Sequence, residues 1–233
     1  MNIIAIIPAR GGSKGIPRKN LVNINGKPLI SYSIKHALDS KLINRIVVST
    51  DDEEIANISK EYGAEIPVLR PSELAEDHVL DLPVYEHVLK YLEKKEGYKA
   101  DIVVHLRPTT PYREAKWIDE AIKLLIENKE AHSVRSVSEP LQHPYRTFRI
   151  EDGYLSPIMK NEHPEPYLLR RQDLPKMYFY NCVIDITKPS TIFEQHSMTG
   201  SKMLPYIMNQ NDVIDIDTKL DLEFAKFFMG EKR

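Results

Sequence analysis

IIAIIPARGGSKGIPRKNL, residues 3–21, is an apolar run that ends in a loop with three glycines, two prolines, two lysines, two arginines and no acidic residue. NIIAIIP (2–8) is continuously apolar and β-branched, which suits a strand buried on both faces of a parallel sheet. The segments beyond the loop decide the fold class. KPLISYSIKHALDS (27–40) places Leu29, Ile30, Ile34, Ala37 and Leu38 at helical spacing. INRIVVSTDD (43–52) is a second apolar strand, and DEEIANISKEYG (52–63) reads as a helix stopped by Gly63. Strand, loop, helix, strand, helix is the pattern of an α/β protein with a doubly wound, mostly parallel sheet.

The alternation continues. LDLPVYEHVLKYLEKK (80–95) reads as a helix with Pro83 tolerated in its first turn. ADIVVHLRPTTPYR (100–113) is a strand running into a proline-bounded loop. EAKWIDEAIKLLIEN (114–128) is an amphipathic helix, and AHSVRSVSE (131–139) is another strand. From about 140 to 176, short segments rich in proline and aromatics replace the pattern, with RTFRIEDGYLSPI (146–158) expected to form a hairpin turning at Asp152-Gly153. This stretch is expected to be a lobe inserted into one domain spanning 1–233. YFYNCVIDI (178–186) returns to the sheet, and IMNQNDVIDIDTKLDLEFAKFFMG (207–230) is expected to close it with a strand and a helix.

Composition narrows the partners. Across 233 residues the formal net charge is −2, so nothing draws the whole protein to nucleic acid or an acidic membrane, and the basic loop points to a local anion. The single cysteine excludes an intramolecular disulfide, and in a strand Cys182 reads as a small core residue. The eight histidines lack zinc-type spacing, and no G-x-S-x-G elbow marks a serine nucleophile. The initial apolar run, about six residues, is too short for a signal peptide or a membrane span, so a soluble cytoplasmic protein is expected.

Ligands of open parallel sheets bind beyond the carboxyl ends of the strands. Four unusual segments are predicted there: Arg10–Asn20, Ser49–Asp52, Arg107–Arg113 and Asp215/Asp217. In the first, Gly11, Gly12 and Gly15 allow the backbone close approach to an anion, while Arg10, Lys14, Arg18 and Lys19 supply charge. The spacing is neither that of a Walker A loop nor that of a dinucleotide fingerprint. Asp215 and Asp217 stand two apart on an extended segment, so both carboxylates face one side. Hard oxygen pairs with open positions suit Mg²⁺ bridging to phosphates; the competing reading has them capping the helix that begins near Thr218. Together, basic loop and carboxylate pair imply a nucleoside triphosphate with Mg²⁺, hence phosphoryl or nucleotidyl transfer.

IIPARGGSKGIPRKNL closely resembles the signature of the acylneuraminate (CMP-sialic acid synthetase) cytidylyltransferases. INGKPLISYSI, RIVVSTDDEEIA, VLRPSELAEDH, LRPTTPYR, HPYRTFRI, LRRQDLP and DVIDIDTKLDLE come after it in that family's order, over nearly the whole chain. The resemblance implies a nucleotidyltransferase α/β fold whose inserted lobe is exchanged across a homodimer. It implies CTP and a nonulosonic 2-keto-3-deoxy sugar acid as substrates, and a CMP-sugar and pyrophosphate as products. It also implies that Arg10, Gly11, Ser13, Lys14, Lys19 and Asn20 hold the triphosphate and ribose. Arg10 and Lys19 would neutralise transition-state charge. Arg70 and Asp77 would lie near the cytosine and ribose. Asp215 and Asp217 would hold the metal, with Asp217 essential to turnover. Arg171 would reach the sugar carboxylate across the dimer.

Two departures fall on the sugar side. Arg107 stands where the sialic acid enzymes carry Gln in LQPTSP, and Phe179, in YFYNC, stands where FRPNG carries Arg. The acceptor is therefore expected to be a relative of N-acetylneuraminate, such as legionaminic or pseudaminic acid, or another 2-keto-3-deoxy sugar acid; the alternative is N-acetylneuraminate itself, with drift around an unchanged substrate. Rival readings are an octulosonate (KDO-type) synthetase, a transferase acting on sugar 1-phosphates, and a non-catalytic nucleotide-binding module. The loop lacks the GxGxRL pattern of the sugar 1-phosphate enzymes.

Overall fold

In a computed structural model describing residues 1–160 and 163–231, the basic loop follows the central strand of a six-stranded sheet. The chain runs β1 (Ile3–Pro8), a small β2–β3 hairpin (Asn23–Ile24 and Lys27–Pro28), α1 (Leu29–Asp39), β4 (Arg45–Ser49), α2 (Glu53–Glu61), α3 (Asp81–Glu96) and β5 (Ile102–His105). Then come α4 (Ala115–Glu127), β6 (Ser133–Ser138), the hairpin β7–β8 (Phe148–Glu151 and Tyr154–Pro157), β9 (Phe179–Thr187), α5 (Pro189–Phe193), β10 (Met203–Ile207) and α6 (Lys219–Glu231). The sheet order is β10-β6-β9-β5-β1-β4. β9 alone runs antiparallel to its neighbours β5 and β6, so the sheet is mostly parallel.

The alternation of β1 explains why its sequence is apolar at every position. Ile3, Ala5 and Ile7 pack with α1 and α4 residues on one face, whereas Ile4 and Ile6 pack with Val84, Tyr85 and Val88 of α3 on the other. A third cluster joins Ile16 and Ile24 to Ile214, Ile216 and Leu222, tying the basic loop to the far end of the chain.

Two expectations are corrected. The last strand is Met203–Ile207, not the VIDID segment. It is an edge strand with three of its five residues exposed and a proline in the middle, so it lacks the apolar signature of a buried strand. Residues 213–217 are extended but outside the sheet; the Ile216 amide donates to the Thr109 carbonyl at 2.8 Å. The alternation there is real, because Ile214 and Ile216 are buried while Asp215 and Asp217 are exposed.

Cys182 is not a fully buried core residue. It is half-buried, with a left-handed φ of 59°, where β9 bulges against β6 and the register jumps from Asp185–Arg135 to Tyr180–Val137. A left-handed residue with a Cβ costs about 1–2 kcal/mol. Cys182→Gly removes that cost against a smaller loss in the unfolded chain, so the melting temperature is expected to rise by a few degrees. A fall would instead give the thiol a packing role.

The hairpin β7–β8 turns at Asp152 (φ 51°) and Gly153 (φ 82°), as the sequence predicts. Its Ile150, Tyr154 and Leu155 are exposed, as is Leu168 nearby.

Candidate active site

The carboxyl ends of β1 and β5 open into a cleft of about 390 Å³, lined among others by Arg10, Ser13, Lys14, Lys19, Asn20, Arg70, Asp77 and Arg107. Eight residues singled out in the sequence thus converge, from two strand ends and the segment before α3. Gly11 stands behind the wall. Its amide donates to Asp51 Oδ1 at 3.0 Å, and a Cβ there would meet Asp52 Oδ2 at 2.8 Å, so Gly11 shapes the loop and offers no N–H to the cleft. Asn20 is buried and its Nδ2 donates to the Arg10 carbonyl at 2.9 Å, fixing the loop from beneath.

Every cation at the mouth has a carboxylate partner. Arg10 Nη1 lies 2.8 Å from Asp77 Oδ1, and Lys14 pairs with the same carboxylate. Asp77 is accordingly held below the usual carboxylate range, first by its hydrogen bond from Lys14 and then by the charges of Lys14 and Arg10. Arg18 pairs with Asp52 and Glu54 away from the cleft, while Asp52 also caps α2 by accepting from the Ile55 amide at 2.9 Å. Such pairs at an exposed mouth are weak and exchangeable, so an incoming polyanion can take over Arg10 and Lys14.

Lys19 connects the loop to the carboxylate pair. Its Nζ donates to the Ile216 carbonyl at 2.8 Å and to Asp217 Oδ1 at 3.2 Å. Gly15 makes this contact possible, since a Cβ there would lie 2.9 Å from the Asp217 carbonyl oxygen. The capping alternative for the pair fails on geometry. The amides of Asp217 and Thr218 donate to Asp221 Oδ2 at 3.1 and 2.7 Å, so Asp221 caps α6 in their place; neither Asp215 nor Asp217 lines the cleft itself, but Lys19, which pairs with Asp217, and Thr109, which hydrogen-bonds Asp215, both do. Although its residue surface is open, the Asp215 carboxyl is pushed above the ordinary aspartate range, first by burial among its neighbours and then by the charge of Asp217, against the pull of Thr109 and Lys19. Two carboxylates this close, with the ionisation of Asp215 opposed by its neighbour, form a fit for a divalent cation. Among the described residues no set of three or more His, Cys, Asp or Glu is grouped for a metal, so the remaining positions would fall to water and phosphate oxygens, as Mg²⁺ prefers.

Arg70 is buried and committed: Nε donates to Ser49 Oγ at 3.1 Å and Nη2 to the Ser49 carbonyl at 2.5 Å, holding the end of β4 as one wall. Arg113, also buried, does the same for the loop after β5, donating to the Arg107 carbonyl at 2.6 Å, the Val183 carbonyl at 2.6 Å and Ser33 Oγ at 3.0 Å. With no carboxylate in contact, its pKa falls to about 9, through burial first and the charge of Arg107 second. Arg171 and Phe179 are not in this cleft. Arg171 lines a second one with Glu139, His143 and Lys176, its Nη2 donating to the Pro140 carbonyl at 2.9 Å; Phe179 is exposed at the start of β9. Sequence reading missed Asp81 and Asp185, the partners of Arg107. A lone carboxylate in the apolar run YNCVIDI was the available signal for Asp185.

The fold and the cleft together define an α/β domain of the nucleotidyltransferase class whose basic, glycine-rich loop is joined through Lys19 to Asp217. The chain belongs to the cytidylyltransferase family, whose description matches residues 4–201, and it is a nucleotidyltransferase. It is 34% identical to a pseudaminic acid cytidylyltransferase of Campylobacter jejuni over 97% of this chain and 95% of the relative. It is 33% identical to a CMP-N,N'-diacetyllegionaminic acid synthase of the same organism, over 99% and 96%. A solved CMP:2-keto-3-deoxy-manno-octonic acid synthetase complexed with CTP superimposes with a TM-score of 0.73 over 100% of both chains at 17% identity, a likeness of fold.

Proposed function

We infer that this chain transfers the cytidylyl group of CTP to a nonulosonic 2-keto-3-deoxy sugar acid. The anomeric oxygen of the acid forms a bond to the α-phosphorus, the bond from that phosphorus to pyrophosphate breaks, and the anomeric hydroxyl proton leaves to solvent. The observation that carries the reading is Lys19, which reaches from the glycine-rich loop to Asp217 and so puts a cation between a triphosphate cradle and a carboxylate pair. Arg10, Ser13, Lys14 and Asn20 are assigned to the triphosphate and ribose, with Gly11 shaping their loop. Asp77 and the wall built on Arg70 are assigned to the nucleoside. Asp215 and Asp217 would hold Mg²⁺, which supplies charge neutralisation for the departing pyrophosphate.

Arg171 and Phe179 lie outside the nucleotide cleft, and the exposed Ile150, Tyr154, Leu155 and Leu168 of 140–176 give that lobe an apolar surface to bury. Both features support a homodimer in which one protomer's lobe completes the sugar side of the other's site. Among the described residues no helix is long and apolar enough to cross a membrane, and we assign the enzyme to the cytoplasm, where CTP is available. The nonulosonate reading is favoured over the octulosonate one because relatives named for nonulosonic acids align over nearly the full chain at 33–34% identity, against 17% for the octulosonate enzyme. The test is pyrophosphate release over a panel of acceptors and nucleotides. Release from CTP but not UTP, with nonulosonic acids only, is the expected result; an octulosonic acid as the best acceptor overturns the assignment.

A further inference from the structure

Every acid of the proposed acceptor class carries a carboxylate, and among the described residues the cleft has one cation left for it. Arg10, Lys14 and Lys19 belong to the glycine-rich loop, and Arg70 is tied by Nε and Nη2 to Ser49. Arg171 lines a different cleft. Arg107 remains, just beyond the end of β5. Its Nη1 donates to Asp185 Oδ2 at 2.5 Å and to Tyr180 Oη at 3.2 Å, and its Nη2 donates to Asp81 Oδ2 at 2.9 Å. The two carboxylates differ. Asp185 has a side chain 1% exposed, accepts from Tyr180 as well, and has Arg135 Nε 3.8 Å from its other oxygen, so it is a fixed anchor. Asp81 is the first residue of α3, lines the cleft, and has a side chain 40% exposed. An ion pair at that exposure is weak and exchangeable, whereas a buried one is not. Displacing Asp81 frees both Nη2 hydrogens beside the Nε–H, a fork that takes a carboxylate through two bonds.

The surroundings can carry the added charge. Arg107, Arg113 and Arg135 act on Asp185, and Arg70 acts on Asp81, so four guanidiniums face these two carboxylates. Two more acids act here, Asp51 on Arg70 and Asp215 on Arg107 and Arg113, and Asp215 is the one assigned to the metal. Arg10, which also acts on Arg70, is paired with Asp77. The remaining titratable neighbours are uncharged: burial pushes His105 down and pushes Tyr85, Tyr180 and Cys182 up. Four positive charges against Asp51, Asp81 and Asp185 leave one, which is the charge a single carboxylate neutralises. Once displaced, Asp81 stays in the field of Arg70 and is not stranded. Resting on the proposed nonulosonate reading, we propose that Arg107 binds the acceptor's carboxylate from within the same protomer, that Asp81 is its resident counter-ion and gives way to the acid, and that Asp185 is the positioning residue that holds the guanidinium at the cleft.

The test uses the acid that best supports pyrophosphate release and the methyl ester of that acid, which keeps the sugar and loses the charge, both at saturating CTP. Wild-type enzyme should bind the acid at least about tenfold more tightly than the ester. Asp81→Ala should lower KM for the acid at least about threefold, with the inhibition constant of the ester and KM for CTP unchanged, because only a carboxylate competes with Asp81. Asp185→Asn should reduce the preference for acid over ester and leave the ester's own binding as it was, whereas a merely structural role would weaken both. Arg107→Gln alone would strand Asp185, so the double variant Arg107→Gln/Asp185→Asn is the further probe, in which acid and ester should bind within about threefold of each other. A rise in KM for the acid in Asp81→Ala would make Asp81 a substrate contact and overturn the proposal. A preference that survives the double variant and is lost in Arg171→Ala would give the carboxylate to the lobe, and would overturn it too. Wild-type enzyme that releases no pyrophosphate from CTP with any nonulosonic or octulosonic acid would instead overturn the underlying reading.

Discussion

Asp217→Ala is expected to cut turnover at least about 100-fold, with the circular dichroism spectrum unchanged. The fold does not depend on this carboxylate. Its side chain is 74% exposed and, among the described residues, pairs with Lys19 alone, while the backbone amide next to α6 is already satisfied by Asp221. On the proposed assignment the chemistry depends on it, because that assignment gives the cation only two protein carboxylates. Near-normal turnover in saturating Mg²⁺ would refute that assignment. A second readout comes from pH. Asp215 is raised partly by Asp217, and a protonated carboxyl is no ligand, so metal affinity falls as pH drops through a value above the ordinary aspartate range. Removing Asp217 removes the like charge, and the acid limb should move to lower pH even as the maximum collapses. If the limb stays where it was, the two carboxylates do not share a site.

Lys19→Ala is expected to lower kcat about 100-fold or more while KM for CTP changes only a few-fold. Its side chain is 15% exposed, and its ammonium is held by a carbonyl and a carboxylate. A preorganised cation so placed costs no reorganisation when charge builds on the departing phosphates, which is where it contributes most. A change confined to KM would make Lys19 a binding residue. Because its bond to Ile216 also anchors residues 213–217, the melting temperature must be measured alongside. Lys19→Arg should keep that anchor and recover part of the activity.

The central fold was legible because its strands are buried on both faces. NIIAIIP, INRIVVS and ADIVVH have no other use for their unbroken apolar runs, and the helices between them carry a single apolar stripe each. β10 was not legible, since an edge strand needs only a half-buried face and Pro205 interrupts it. The loop and the Asp pair could be found because local spacing alone makes them chemically unusual. The environment of Arg107 could not, because its partners lie 26 and 78 residues away and are brought together only by the packing of α3 on the sheet and the pairing of β9 with β5. Cys182 escaped for a related reason: a bulge is a mismatch between two strands, and neither strand states it alone.

Lys19 and Ile216 are 197 positions apart, and Ile16 and Ile24 share their core with Ile214, Ile216 and Leu222. A segment synthesised early is therefore braced by one synthesised much later. Until that later segment has left the ribosome, the basic loop lacks its packing partners and its carboxylate counterpart. A nascent chain, or one terminated before Ile214, should neither retain a triphosphate nor hydrolyse one wastefully. On the proposed assignment, then, competence waits for the segment that carries Ile214 and Ile216.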